Sequence, residues 1–179
     1  MTYSKVLSVI ESIKAIQINE FGSIILEHKG SAFAKFLLLA VGIEYLGACL
    51  DELPFNEPNE SEKRFNRAIR KLFDKKYHKH ANKSAIVYLY KDFRCCFVHR
   101  IKPGKSIVIS HLDESKRERT KHLEHVVGGP LVLVLEDFYN DYEKACNRLI
   151  RGYENGKYTN KKGDQEYLQY TSIRDNKLI

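Results

Sequence analysis

The chain has 179 residues, 43% apolar and 30% charged, with a formal net charge of +7. That length can bury one core without disulfides or a structural metal, and the composition excludes a generally disordered chain. A pI near 9.1 favours a polyanionic partner such as nucleic acid, although charge alone does not identify one.

The four cysteines, Cys49, Cys95, Cys96 and Cys146, include no CxxC pair, and adjacent Cys95 and Cys96 suit a disulfide poorly. With no secretory leader legible at the start, reduced thiols in a cytoplasmic protein are expected. No membrane span is expected either. The most apolar run, 36–43, is flanked by Lys35 and Glu44 and falls short of the roughly twenty apolar residues a span needs.

In chain order, Val6, Leu7, Val9, Ile10, Ile13 and Ile16 give a helical stripe over about 3–18, and 24–26 is expected as a packed loop. Residues 32–53, with Ser31 as N-cap, are apolar almost all round and should form the central helix. A turn-rich loop with Pro54 and Pro58 follows. Ser61 opens a third helix to about 77, with Phe65, Ala68, Ile69, Leu72 and Phe73 inward. Lys63, Arg64, Arg67, Arg70, Lys71 and Lys75 crowd its other faces.

A fourth helix is expected over 85–100, with Ile86, Leu89, Tyr90, Phe93 and Phe97 at helical spacing and Pro103-Gly104 ending it. The β-branched run 106–110 reads as a strand, paired in a hairpin with 121–127 across the charged loop 113–120. Residues 131–153 read as a last long helix, and 154–179 as a polar tail or short extra helix. The expected fold is mainly α. It is an antiparallel bundle of about four to five helices, one domain over 1–153, with a β-hairpin after the fourth helix.

One constellation can carry chemistry: Arg94 and His99, separated by Cys-Cys-Phe-Val. As a bare spacing it is weak, and Arg117 with His122 repeats it in the charged loop. Arg94 lies on a strongly amphipathic helix and His99 near its end. Five residues turn an ideal helix by about 500°, leaving the two side chains about 140° apart. They converge only if the helix bends or two copies face each other. The structural alternative pairs Arg94 with Glu44, the acid set among the apolar residues of the central helix, and leaves His99 to interact with the helix dipole.

The lead-in Leu89-Tyr90-Lys91-Asp92-Phe93-Arg94 and the ending Val98-His99 resemble the R-x4–6-H motif of the HEPN superfamily of helical proteins. The helix order over about 30–150 is similar too. The resemblance implies a metal-independent endoribonuclease, active as a homodimer, with Arg94 and His99 as the catalytic pair and no cofactor. His99 would move protons between the RNA 2′-hydroxyl and the leaving oxygen; Arg94 would stabilise charge on the phosphate. Lys63, Arg67, Arg70 and Lys71 would track the RNA backbone. The resemblance also implies a place in bacterial defence or a toxin–antitoxin system, with an antitoxin as protein partner.

The residue after the motif Arg is commonly Asn, Asp or His in active members. Here it is Cys95, a weak donor. Other members have lost catalysis and serve as modules that bind RNA or a protein partner. A third class, a small helical enzyme using Cys95 or a zinc site of His111, His122 and His125, has no spacing that demands it.

Overall fold

The computed structural model describes residues 5–27, 30–158 and 168–170. It is mainly helical, with a small two-stranded parallel sheet. Strand β1 (Lys5–Leu7) leads into helix α1, which has an α turn Val9–Ser12, a π-helical stretch Ile13–Glu20 and an α segment Phe21–Leu26. Ser8 starts α1: its Oγ accepts from Glu11 N–H at 3.2 Å while Glu11 Oε2 accepts from Ser8 N–H at 2.8 Å. The expected loop at 24–26 is therefore the end of this helix.

Helix α2 (Ala32–Ala48) is the central element, as its all-round apolarity requires; Phe36, Leu39, Ala40, Ile43 and Leu46 have no exposed surface. It crosses α3 (Ser61–Leu72) at Gly47, where a side chain would run into the Arg64 carbonyl and lie 2.9 Å from its Cα. The expected third helix breaks early. Phe73 takes an extended ψ of 165°, and the short α4 (Lys75–His78) follows. Arg148 holds the break, donating to the Leu72 carbonyl at 2.7 Å and pairing with Asp74.

Residues 81–88 are irregular, so Ile86, expected to face inward, is 93% exposed. Helix α5 begins only near Tyr90, runs π-helical over Tyr90–Cys95, and continues as α over Cys96–Arg100. The expected hairpin does not form. Strand β2 (Ile107–Ser110) pairs in parallel with β3 (Leu131–Val134), from Ile107 opposite Leu131 to Ser110 opposite Val134. Residues 123–126 reach the other side of β3: Leu123 N–H donates to Val132 O at 2.8 Å, and Val126 N–H to Pro130 O at 3.0 Å.

Between the strands, the supposed charged loop forms helix α6 (Leu112–Glu118). Its first turn is secured by Glu114, which accepts from His111 N–H, and by Glu136, which accepts from Leu112 N–H at 2.8 Å.

Helix α7 (Leu135–Glu154) is shorter at its start than expected, because its first four apolar residues are the fully buried β3. Its tyrosines close the core against glycines. Tyr142 lies over Gly42 and donates to Gln17, and Tyr139 lies over Gly22 and donates to Ile18 O at 2.9 Å. An aromatic cluster joins the layers: Phe93 to Phe97 at 5.1 Å between centroids, Phe93 to Phe138 at 5.3 Å, and Phe138 to Tyr77 at 5.8 Å. Within the expected polar tail, β4 (Leu168–Tyr170) pairs antiparallel with β1; the rest of that tail lies outside the described residues. No helix among the described residues is long and apolar enough to cross a membrane.

Candidate functional site

Arg94 sits near the end of the π-helical stretch, where i→i+5 bonding widens the helix and leaves carbonyls to be satisfied elsewhere. Gly104 N–H donates to the Asp92 carbonyl at 2.8 Å, so the Pro103-Gly104 turn folds back onto α5. A Cβ on Gly104 would lie 2.9 Å from that oxygen. The widening ends at Cys95, and the remaining steps to His99 follow α geometry. The helix stops at Ile101, a β-branched residue in left-handed conformation at φ 54°.

The Arg94 guanidinium turns toward α2. Its Nη2 lies 2.5 Å from Glu44 Oε2, with the side chains 14% and 21% exposed. Its central carbon is 5.7 Å from the Tyr90 ring centroid, within cation–π range. The contact with Glu44 is a close charge pair rather than an aligned hydrogen bond, and Arg94 Nε is buried without a partner among the described residues. Burial pushes the Tyr90 hydroxyl up to about 12, helped by its hydrogen bond with the Cys95 thiol. Cys95 therefore packs into the same corner as Arg94, Glu44 and Tyr90.

His99 does not join them. It is exposed, and no hydrogen bond or ion pair links it to Arg94 among the described residues. One chain thus brings Arg94 to Glu44 and leaves His99 facing solvent on the last turn of the same helix.

The basic residues of α3 divide. Arg64, expected on a wet face, is buried and fully committed. Nε donates to Asp51 at 2.9 Å, Nη1 to Phe55 O at 2.7 Å and Nη2 to Pro54 O at 2.6 Å, stapling the loop after α2. Arg67 donates to Asp51 at 2.7 Å, and Arg70 to the Ala81 carbonyl at 2.6 Å. Lys63 is 67% exposed and pairs with Glu60 at 2.6 Å. Lys71 is exposed with no such contact among the described residues. Of the four residues expected to track RNA, two are tied down in the fold.

Among the described residues no group of three or more His, Cys, Asp or Glu is placed to hold a metal ion. The three histidines of the zinc alternative are occupied separately, His111 with Glu136, His122 with Tyr77, and His125 with the Gly129 carbonyl. A buried polar chain through Tyr77, His122 and Asp141 escaped the sequence reading. Its one signal is Asp141 itself, an acid three residues after Phe138 on the buried stripe of α7. Comparison with protein-family models, with curated proteins and with solved structures finds no match to this chain.

Proposed function

We propose that this chain is a HEPN-like, metal-independent endoribonuclease that works as a homodimer, with Arg94 and His99 as its catalytic pair. The observation that supports this best is the state of the Arg94 guanidinium. It is shielded and held in place by Glu44 and Tyr90, yet its Nε donor is uncommitted. A positioned guanidinium with one donor uncommitted suits a phosphate whose charge grows during reaction, provided that the phosphate's approach uncovers the buried Nε.

In the proposed reaction, His99 takes the proton of an RNA 2′-hydroxyl as that oxygen attacks the adjacent phosphorus. The bond to the 5′-oxygen breaks, and that oxygen accepts a proton from the imidazolium so formed, or from that of the second copy, as it leaves. The products are a 2′,3′-cyclic phosphate and a 5′-hydroxyl end. Because Arg94 and His99 of one chain do not meet, a second copy would supply the complementary residue. Phe33 and Val41 on α2 and Ile101 after α5 are 41%, 40% and 59% exposed, apolar surface on the helix that holds Glu44 and at the end of the helix that carries the motif.

The test is cleavage of mixed single-stranded RNA with EDTA present, comparing wild type with Arg94→Ala and His99→Ala. Loss of about 10²–10⁴ in rate is expected for His99→Ala. Cleavage that survives in His99→Ala removes the assigned role. A second reading, an inactive HEPN-like module that binds RNA or a protein partner, draws support from Cys95 at the position usually polar and from the close Glu44 contact on Arg94. RNA binding by a folded wild type that never cleaves selects it.

A further inference from the structure

Away from α5, a cavity of about 460 Å³ opens between α4, α6, α7 and the loop at 120–122. Its back wall is built on Asp141, only 5% exposed. The Tyr77 hydroxyl donates to Asp141 Oδ2 at 3.0 Å and lies 2.7 Å from His122 Nε2. Val134 N–H donates to His122 Nδ1 at 3.0 Å. Nδ1 must therefore carry the lone pair, so the ring proton sits on Nε2 and is donated to the Tyr77 oxygen. The chain runs one way, from His122 through Tyr77 to Asp141, with every donor used.

That chain fixes an ionised carboxylate beneath two ammonium groups. Lys76 Nζ lies 2.5 Å from Asp141 Oδ2 and Lys144 Nζ 2.9 Å from Oδ1, with the lysine side chains 48% and 60% exposed. Burial raises the Asp141 carboxyl, but the hydrogen bonds from Lys76 and Lys144 outweigh it and hold it below the usual range. Lys116 and Lys121 stand on the rim, with Asn140 beside them.

One ammonium would suffice to neutralise Asp141. The lining instead carries four lysines against Asp137 and Asp141, with Lys121 only loosely near Glu124 at 3.6 Å. The excess positive charge, partly preorganised and gathered in one concavity, matches a doubly charged anion that accepts hydrogen bonds on several oxygens.

We propose that this cleft binds a terminal phosphate group in its dianionic form, carried on a ligand up to the size of a mononucleotide. The volume falls within the range of small-molecule sites, about 300–1,000 Å³. Free phosphate, a nucleoside monophosphate and the 5′-phosphate of an RNA end share this chemistry. No lining residue belongs to α5, so the assignment does not rest on RNA cleavage.

Titration calorimetry at low salt with inorganic phosphate, adenosine monophosphate, and one short RNA in 5′-phosphorylated and 5′-hydroxyl forms tests it. Wild type should bind adenosine monophosphate saturably, and Lys116→Glu/Lys121→Glu should weaken that by about tenfold or more. Both residues are exposed, so the variant should fold, which its circular dichroism checks. Lys102→Glu/Lys105→Glu, exposed after α5 and outside the cleft, should bind as wild type. Tighter binding of phosphorylated than hydroxyl RNA identifies the RNA end as the source; binding confined to the small ligands identifies a free nucleotide or phosphate. No saturable binding up to roughly 10 mM, or equal loss in both double variants, overturns the proposal.

Discussion

His122 makes the stability of this protein depend on pH in a calculable way. Burial drives its ring from the ordinary 6.5 down to about 3, with the neighbouring Lys76 charge adding to the effect. The geometry gives the same direction, since a second ring proton would have to displace the Val134 N–H from Nδ1. The folded state holds His122 neutral while the unfolded chain protonates it near 6.5. Its contribution is therefore complete above pH 6.5 and drains away as pH falls toward 3. Each pH unit below 6.5 costs about 1.4 kcal/mol, so going from pH 7.5 to 5.0 should remove about 2 kcal/mol. Asp141, held below the ordinary carboxylate value, loses its contribution only at lower pH and leaves that window clear. His80, buried and also shifted down by desolvation, adds a loss of the same sign. Urea denaturation followed by circular dichroism at pH 7.5, 6.5, 5.5 and 5.0 reads the effect, with a midpoint shift of roughly 1 M for an m-value near 2 kcal/mol/M. His122→Gln should be less stable at pH 7.5 yet lose much less on acidification. A wild type with flat stability, or a His122→Gln protein with the full acid loss, would refute the reasoning.

Three further outcomes are expected. Arg64→Met should cost about 3 kcal/mol in urea denaturation, because Asp51 and the Pro54 and Phe55 carbonyls lose their shared donor; a cost below about 1 kcal/mol would show that the loop is held by something else. Ile101→Gly should stabilise by about 1 kcal/mol, since a β-branched residue at φ 54° is strained and its 59% exposed side chain has little burial to lose; a drop in melting temperature would contradict this. Thiol titration of the native protein should find at most Cys95 and Cys96, because Cys49 and Cys146 are buried and burial pushes the Cys146 thiol up to about 12. Unfolding in urea should release all four, and rapid native labelling of Cys146 would count against the packing of α2 on α7.

The sequence pattern was most informative where periodicity and burial agree. Helix α2 was legible because its apolar residues run all round, and α3 because Phe65, Ala68, Ile69 and Leu72 keep one face. The pattern failed where an apolar run fits two periods. Leu131–Val134 satisfies a helix stripe and a buried strand equally, and only β2, more than twenty residues away, decides for the strand. Helix α6 was hidden because its start relies on Glu136, a long-range partner. Ile86 kept the spacing of a helix that begins after it, since the turn at 81–88 is set by packing rather than by proline or glycine. At the site, the Arg94–Glu44 pair was foreseeable because Glu44 is the single acid of Ala32–Ala48 and needs a cation from a neighbouring element. The exposure of His99 was not, since the extent of the π stretch cannot be counted from residue types.

The cations show why net charge locates so little. Arg64, Arg67 and Arg70 are three of the five cations that make α3 look like an RNA-tracking helix. All three donate into the fold, to Asp51 or to backbone carbonyls. Arg64, with Nε and both terminal nitrogens committed, has little left for a phosphate, whereas Arg67 and Arg70 each spend one terminal nitrogen on the fold. Arg94 differs in kind: it is as shielded as a structural arginine but leaves Nε without a partner. Lys116 and Lys121 differ again, being exposed on a rim whose two fixed lysines already rest on Asp141. The cations of α3 left for a polyanion are therefore chiefly Lys63 and Lys71, fewer than its composition suggests, while Lys116 and Lys121 make a second such place beside α6. Reversing Lys63 and Lys71 in one variant and Lys116 and Lys121 in another weighs these two places against each other, because each variant changes formal charge by the same amount.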